Sequence, residues 1–141
     1  MFSIDPRLQQ DTLVLGDFAL CRLLLMNDST YPWLILVPRR EAVSEVFQLA
    51  ADEQQLLWRE TTLLAETLKD AFVADKMNIA TLGNVVSQLH MHVVVRHRDD
   101  AAWPAPVWGR QPAVPYSQEQ LRAMRERLRL VLTSDFQWLE V

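Results

Sequence analysis

One cysteine is all the chain has, Cys21, and it lies in an apolar run. A disulfide framework within the chain is thereby excluded, and so is a zinc site built on thiolates. A basic excess is missing too: 14 Lys and Arg against 18 Asp and Glu leave a net charge of −4. Affinity for polymeric nucleic acid rests largely on basic charge, so no such partner is expected. A small anion held in a local pocket is compatible with the balance. No apolar run is long enough for a membrane span, the longest being broken by Arg22, Asn27 and Pro38. The opening stretch, MFSIDPRLQQ, has neither a basic n-region nor an apolar h-region. A cytoplasmic protein without a membrane partner is therefore expected. Internal repeats and low-complexity tracts are absent, and histidine occurs only in one stretch, SQLHMHVVVRHRDD, from Ser87 to Asp100.

What is present is an ordinary globular composition, half apolar, over 141 residues. That length suits one domain with a real core. TLVLGDFALCRLLLMN reads as two strands around a tight Gly16-Asp17 turn. WLILVPRR is a third strand, closed by Pro38, with Arg39 and Arg40 capping the strand end. DEQQLLWRETTLLAETLKDAF switches to helical spacing, with Leu57, Leu64 and Leu68 on one face and a capping-box offset at Asp52 and Gln55. MNIATLGN predicts a short strand ending at Gly83, and the histidine stretch a last strand. AAWPAPVWGRQPAVPY carries four prolines that forbid regular structure, and its Trp103 and Trp108 predict a segment lying against a surface. SQEQLRAMRERLRLVL closes as an amphipathic helix, capped by Ser117 and Gln120, with Leu121, Met124, Leu128 and Val131 apolar. Several antiparallel strands with helices set apart from them give an α+β class.

Side chains alternate along a strand. Gln88, His90 and His92 are therefore expected on one face, with Leu89, Met91, Val93 and Val95 on the other. Neighbours on one face lie roughly 6.5–7 Å apart, a spacing that suits contacts to different oxygens of one phosphate. Two other readings of these residues stay open. One is a solvent-facing strand whose polar face happens to carry histidines. The other is a zinc site, which needs a third protein ligand that only His97, of the wrong parity, or a carboxylate can supply.

HMHVVVR resembles the active-site strand of the histidine triad (HIT) family, whose pattern is His-φ-His-φ-His-φ-φ with φ apolar. Here it reads Gln88-Leu89-His90-Met91-His92-Val93-Val94. LVPRR, MNIATLGNVVSQLHMH and LLLMNDSTYPWLILVP are similar to the family's preceding strand, its approach to the histidines and its nucleotide-side loop, so the likeness spans most of residues 13–100. WPAPVWG looks like a feature of one bacterial branch. The resemblance implies a single HIT-like domain over 1–141: a core at about 13–100, the Trp/Pro-rich segment 101–116 and a C-terminal helix at 117–132. It implies an antiparallel sheet of about five strands, a long central helix, and a homodimer whose sheets join.

The resemblance further implies a nucleotide hydrolase or transferase cleaving at the α-phosphorus, with no obligatory cofactor or metal. His90 falls at the nucleophile's position and would form a nucleotidyl-imidazole, its other ring nitrogen held by an acceptor such as a backbone carbonyl. His92 would contact phosphate oxygens and, if protonated, offset their charge. Gln88 departs from the pattern: an amide positions but does not titrate, which leaves a weak nucleotide-binding or sensor module as the alternative. Asn27 corresponds to a ribose ligand, or caps a loop. Asn78 precedes the motif as a nucleotide-binding candidate, Asn84 resembles a polar residue near the phosphate, and Gly83 lets backbone amides approach the anion or is a plain turn glycine. Arg96 binds a distal phosphate, or sits solvated at a strand end. Trp103 and Trp108 stack on a base, or pack on a partner subunit.

Overall fold

The computed structural model describes residues 1–139; residues 140 and 141, the end of the expected domain, lie outside the described residues. In chain order the elements are α1 (Pro6–Asp11), β1 (Thr12–Asp17), β2 (Cys21–Met26), β3 (Trp33–Pro38), α2 (Ala51–Ala71), β4 (Lys76–Ala80), β5 (Met91–Arg96), α3 (Gln118–Val131) and β6 (Gln137–Trp138). The strands make one antiparallel sheet in the order β4-β5-β3-β2-β1-β6. The α+β class stands, with β6 added to the expected five strands.

Apolar alternation in the inner strands buries both faces of this sheet. Leu23, Leu25, Leu34, Leu36, Met91, Val93 and Val95 face α2 and α3, where they meet Leu57, Leu64, Leu68 and Leu128. Leu24, Trp33, Ile35, Val37 and Val94 face the other way, and there the cover comes from the chain's ends: Ile4 and Leu8 from the start, Ala102 and Val107 from the tail. His92 and Arg96 share the parity of Val94, so both point to this second face. The β5 alternation read from the sequence therefore holds within the strand.

Several local expectations need correction. The β1–β2 turn is not at Gly16-Asp17. Those residues belong to β1, and the turn falls at residues 18–20, where the Phe18 N–H donates to the Cys21 carbonyl at 2.8 Å. It is pinned from two sides. The buried Glu60 carboxylate of α2 accepts from the Leu20 and Cys21 N–H groups, both at 2.9 Å, and Arg39 donates to the Phe18, Ala19 and Leu20 carbonyls. Gly16 is small for a different reason: a Cβ there would lie 2.3 Å from the Gln137 oxygen and 2.6 Å from the Phe136 ring. Helix α2 begins two residues earlier than the Asp52–Gln55 box implied. Ala50 is its N-cap, and the Glu53 carboxylate accepts from the Ala50 N–H at 3.2 Å. Strand β4 ends at Ala80, short of Gly83. The α3 cap is reciprocal as expected: Gln120 N–H to Ser117 Oγ at 3.1 Å, Ser117 N–H to Gln120 Oε1 at 2.9 Å.

Candidate active site

Strand β5 starts at Met91, so His90 stands just outside the ladder. The loop before it is held by other means. The Leu89 N–H donates to the Val43 carbonyl at 2.9 Å, and the Thr81 hydroxyl donates to the His90 carbonyl at 2.8 Å. The His90 ring folds back on its own loop, with Nδ1 2.7 Å from the Gln88 carbonyl oxygen. A carbonyl only accepts, so Nδ1 carries the proton and Nε2 is left with its lone pair.

His92 is inside the strand, beside Ile35 on β3 and Ala80 on β4. Its Nδ1 accepts the Trp33 indole N–H at 3.0 Å. That fixes the opposite tautomer: the His92 proton sits on Nε2. Burial first, and then the neighbouring His90, push His92 down to about 3. The expectation that His92 could work as a cation is thereby corrected; it is a neutral Nε2–H donor. The two imidazoles are packed edge to face, ring centroids 4.8 Å apart at 70°. Their exposures are 5% and 4%. One ring thus turns its Nε2 outward and its neighbour an N–H.

Gln88 does not join them. Its Oε1 accepts the Asp5 N–H and its Nε2 donates to the Ser3 carbonyl, both at 2.8 Å. The cause is the end of the ladder: residue 88 lies in the loop, and its amide finds both partners on the N-terminal segment that covers this face. Arg96 does not reach the site either. It is 1% exposed and its guanidinium is committed to Asp100 (2.8 and 3.1 Å), Asn78 Oδ1 (2.8 Å) and the Ala105 carbonyl (2.8 Å). The expected nucleotide-binding role of Arg96 and Asn78 gives way to anchoring of the tail. Burial alone would raise the Asp100 carboxyl, but the Arg96 bonds and the His97 and Trp103 N–H groups outweigh it and bring it to about 2. His97 turns away, its Nε2 3.0 Å from the Phe72 carbonyl.

Among the other expected ligands, Gly83 and Asn84 lie on the loop between β4 and His90. Gly83 has φ +112°, and a Cβ there would meet the Val86 carbonyl oxygen at an ordinary 3.7 Å, so conformation and not crowding calls for glycine. Asn27 caps the tail, its Oδ1 accepting the Tyr116 N–H at 2.9 Å. It also lines a cavity of about 370 Å³ together with Asp11, Asp28, Trp33, Val107 and Trp108. Trp108 stands edge-on to His92 (5.1 Å, 83°) and to Trp33 (5.6 Å, 84°). Trp103 instead stacks under Arg96 at 5.5 Å.

Three contributors were missed from the sequence. Trp33 needed the β3–β5 register to be seen, and Thr81 a loop contact no pattern signals. Asp28 carried a readable sign, its turn-rich setting: it is 5% exposed and its Oδ1 accepts the Thr30 and Val114 N–H groups. Among the described residues no three His, Cys, Asp or Glu side chains cluster to hold a metal ion, and no helix is long and apolar enough to cross a membrane.

Known proteins agree with this geometry. Residues 7–99 match the model of the HIT domain family. A histidine triad protein from Marinobacter aquaeolei is 48% identical, with TM-score 0.92, covering 94% of this chain and 96% of that one. One from Sinorhizobium meliloti is 45% identical (TM-score 0.90; 93% and 97% covered), and one from Bradyrhizobium japonicum 39% identical (TM-score 0.91; 94% and 98% covered). A hypothetical histidine triad nucleotide-binding protein from Sulfolobus tokodaii, at 15% identity and TM-score 0.68, shares the fold. No curated protein is a significant match. Both imidazoles at the mouth of β5 fall within the matched residues, and the chain belongs to the HIT family.

Proposed function

We propose that the protein is a nucleotide hydrolase or transferase that cleaves at the α-phosphate of a nucleoside phosphoanhydride or phosphoramidate through a covalent nucleotidyl-His90. The observation that carries this reading is the 2.7 Å bond from His90 Nδ1–H to the Gln88 carbonyl, which leaves Nε2 as the nitrogen available to attack. Nε2 attacks phosphorus, and the leaving group departs with the bonding electron pair. Water then adds at phosphorus, the P–N bond breaks, and the imidazole regains its lone pair as a proton is released. His92 Nε2–H donates to a non-bridging oxygen throughout. No step calls for a metal ion.

The cavity beside Trp33 and Trp108 supports the orientation of the substrate. Its walls carry the carboxylates of Asp11 and Asp28 and no lysine or arginine, so it repels phosphate and suits the uncharged nucleoside. Asn27 is retained here as a ribose ligand, and the Gly83–Asn84 loop as a phosphate contact. The reading includes a homodimer joined through β4, an edge strand flanked by exposed Ile79, Leu82 and Val85. It also includes a cytoplasmic setting, supported by the lone buried thiol of Cys21.

The test is release of nucleoside monophosphate from a panel of dinucleoside polyphosphates and adenosine phosphoramidates, with acid-quenched samples searched for an adduct on His90. Turnover and adduct should both vanish in His90→Ala and survive chelation. Full activity in that variant would sink the mechanism. Binding without product over the whole panel would leave a nucleotide-binding module in its place.

A further inference from the structure

We infer that Gln88 is a positioning residue for His90, acting by clamping the N-terminal segment and holding the imidazole through its own carbonyl. The inference rests on His90 being the nucleophile only in its kinetic part; its geometric part stands alone.

Residue 88 lies outside the β-ladder, so no ladder hydrogen bond fixes the carbonyl that His90 Nδ1–H needs. What fixes it is the side chain of the same residue. The Gln88 amide sits between the Ser3 carbonyl and the Asp5 N–H at 2.8 Å each, donating to one and accepting from the other as a neighbouring strand's peptide would. The segment it grips is itself anchored, because Ile4, between the two contacts, and Leu8 are buried in the apolar cluster that contains Trp33. Tying Gln88 to so distant a segment immobilises the acceptor end of the His90 Nδ1 bond. Only a side chain with a donor and an acceptor in amide geometry makes both contacts. An ionised carboxylate lacks the donor, and alanine lacks both. The amide at this position, in place of the family's first histidine, thus has a task of its own away from the phosphate.

The experiment uses protein labelled with nitrogen-15 at histidine, where only three residues report. In the wild type, His90 should show one fixed tautomer, protonated at Nδ1. Gln88→Ala should blur it towards tautomer averaging. Asp5→Pro should do the same by deleting the donor N–H, and it is tolerated locally because Asp5 has φ −50°, within proline's range. Asp5→Ala keeps the N–H and loses only the carboxylate that accepts from Arg7 N–H, so its His90 spectrum should follow the wild type. On a turned-over substrate, kcat should fall about tenfold to a hundredfold in Gln88→Ala with KM changed less than about twofold. An unmoved His90 spectrum in both Gln88→Ala and Asp5→Pro would overturn the inference, and so would Asp5→Ala moving it as far as Asp5→Pro. The expected spectra in a protein that turns over no substrate would uphold the clamp and reject the hydrolase reading.

Discussion

Acidifying the protein from about pH 7.5 to about pH 5 should cost about 2 kcal/mol of folding stability through His92 alone. The ordinary imidazole titrates at 6.5; burial, followed by the ring of His90, holds this one at about 3. Protonation would also set a second N–H against the Trp33 indole N–H, which now points at Nδ1 from 3.0 Å. The unfolded chain takes up a proton as pH falls past about 6.5 and the folded chain does not. The folded value lies below the unfolded one, so this stability is complete above about pH 6.5 and drains away as pH falls towards 3. Each pH unit in that window is worth about 1.4 kcal/mol, and 1.5 of them separate 6.5 from 5. The result is insensitive to the folded value as long as that stays well below 5. Asp100, at about 2, gives up its stabilisation only below about pH 4, outside the window. Guanidinium melts of the wild type and of His92→Asn at both pH values isolate the effect. The asparagine Oδ1 occupies the Nδ1 position, keeps an acceptor for Trp33 and does not titrate. The wild type should be about 2 kcal/mol more acid-sensitive than the variant, roughly 6 °C in midpoint temperature. Parallel losses in the two proteins would mean that His92 is a cation in the folded state and that its assignment as a neutral donor is wrong.

Trp108→Ala should weaken binding of a nucleoside monophosphate by about 1–3 kcal/mol in calorimetry, the worth of a base stacked on an indole; unchanged affinity would remove the nucleoside from that cavity. Arg96→Met leaves the half-buried Asp100 carboxylate without its cation and should cost about 1–3 kcal/mol in urea unfolding, with residues 101–116 becoming susceptible to proteolysis. A loss under about 1 kcal/mol would refute the anchoring role. Gly16→Ala pushes a methyl into the Gln137 carbonyl and the Phe136 ring. It should cost about 1–3 kcal/mol and speed amide exchange at Leu139, whose N–H donates to the Leu15 carbonyl.

What was legible in the sequence is what depends on near neighbours. The alternation of Met91, Val93 and Val95 against His92, the leucine face of α2 and the Ser117–Gln120 cap all reduce to periods of two or to offsets of three and four. Helix α1 was legible too: Asp5-Pro6 carries both an N-cap and a proline at the first position, and went unread. The misplaced residues share a different trait. Gln88 reaches Ser3 and Asp5, Arg96 reaches Ala105 and Asn78, Gly16 is crowded by residues 136 and 137. Each assignment turns on a partner distant in sequence or on another element, and single-sequence patterns carry no register between such segments. The histidine pair was found because one short stretch of chain supplies both rings, His92 from β5 and His90 from the residue before it; the indoles around it come from two other places in the chain.

The tail that carries Val107 and Trp108 follows β5 in the chain, and it is stitched down by Arg96, Asp28 and Asn27. During synthesis both imidazoles therefore leave the ribosome before the indole that stands against His92. Until those later residues emerge, Trp33 and the apolar face around it have cover only from Ile4 and Leu8 at the start of the chain. A nascent chain of this kind acquires its histidine pair early and the wall formed by Val107 and Trp108 late.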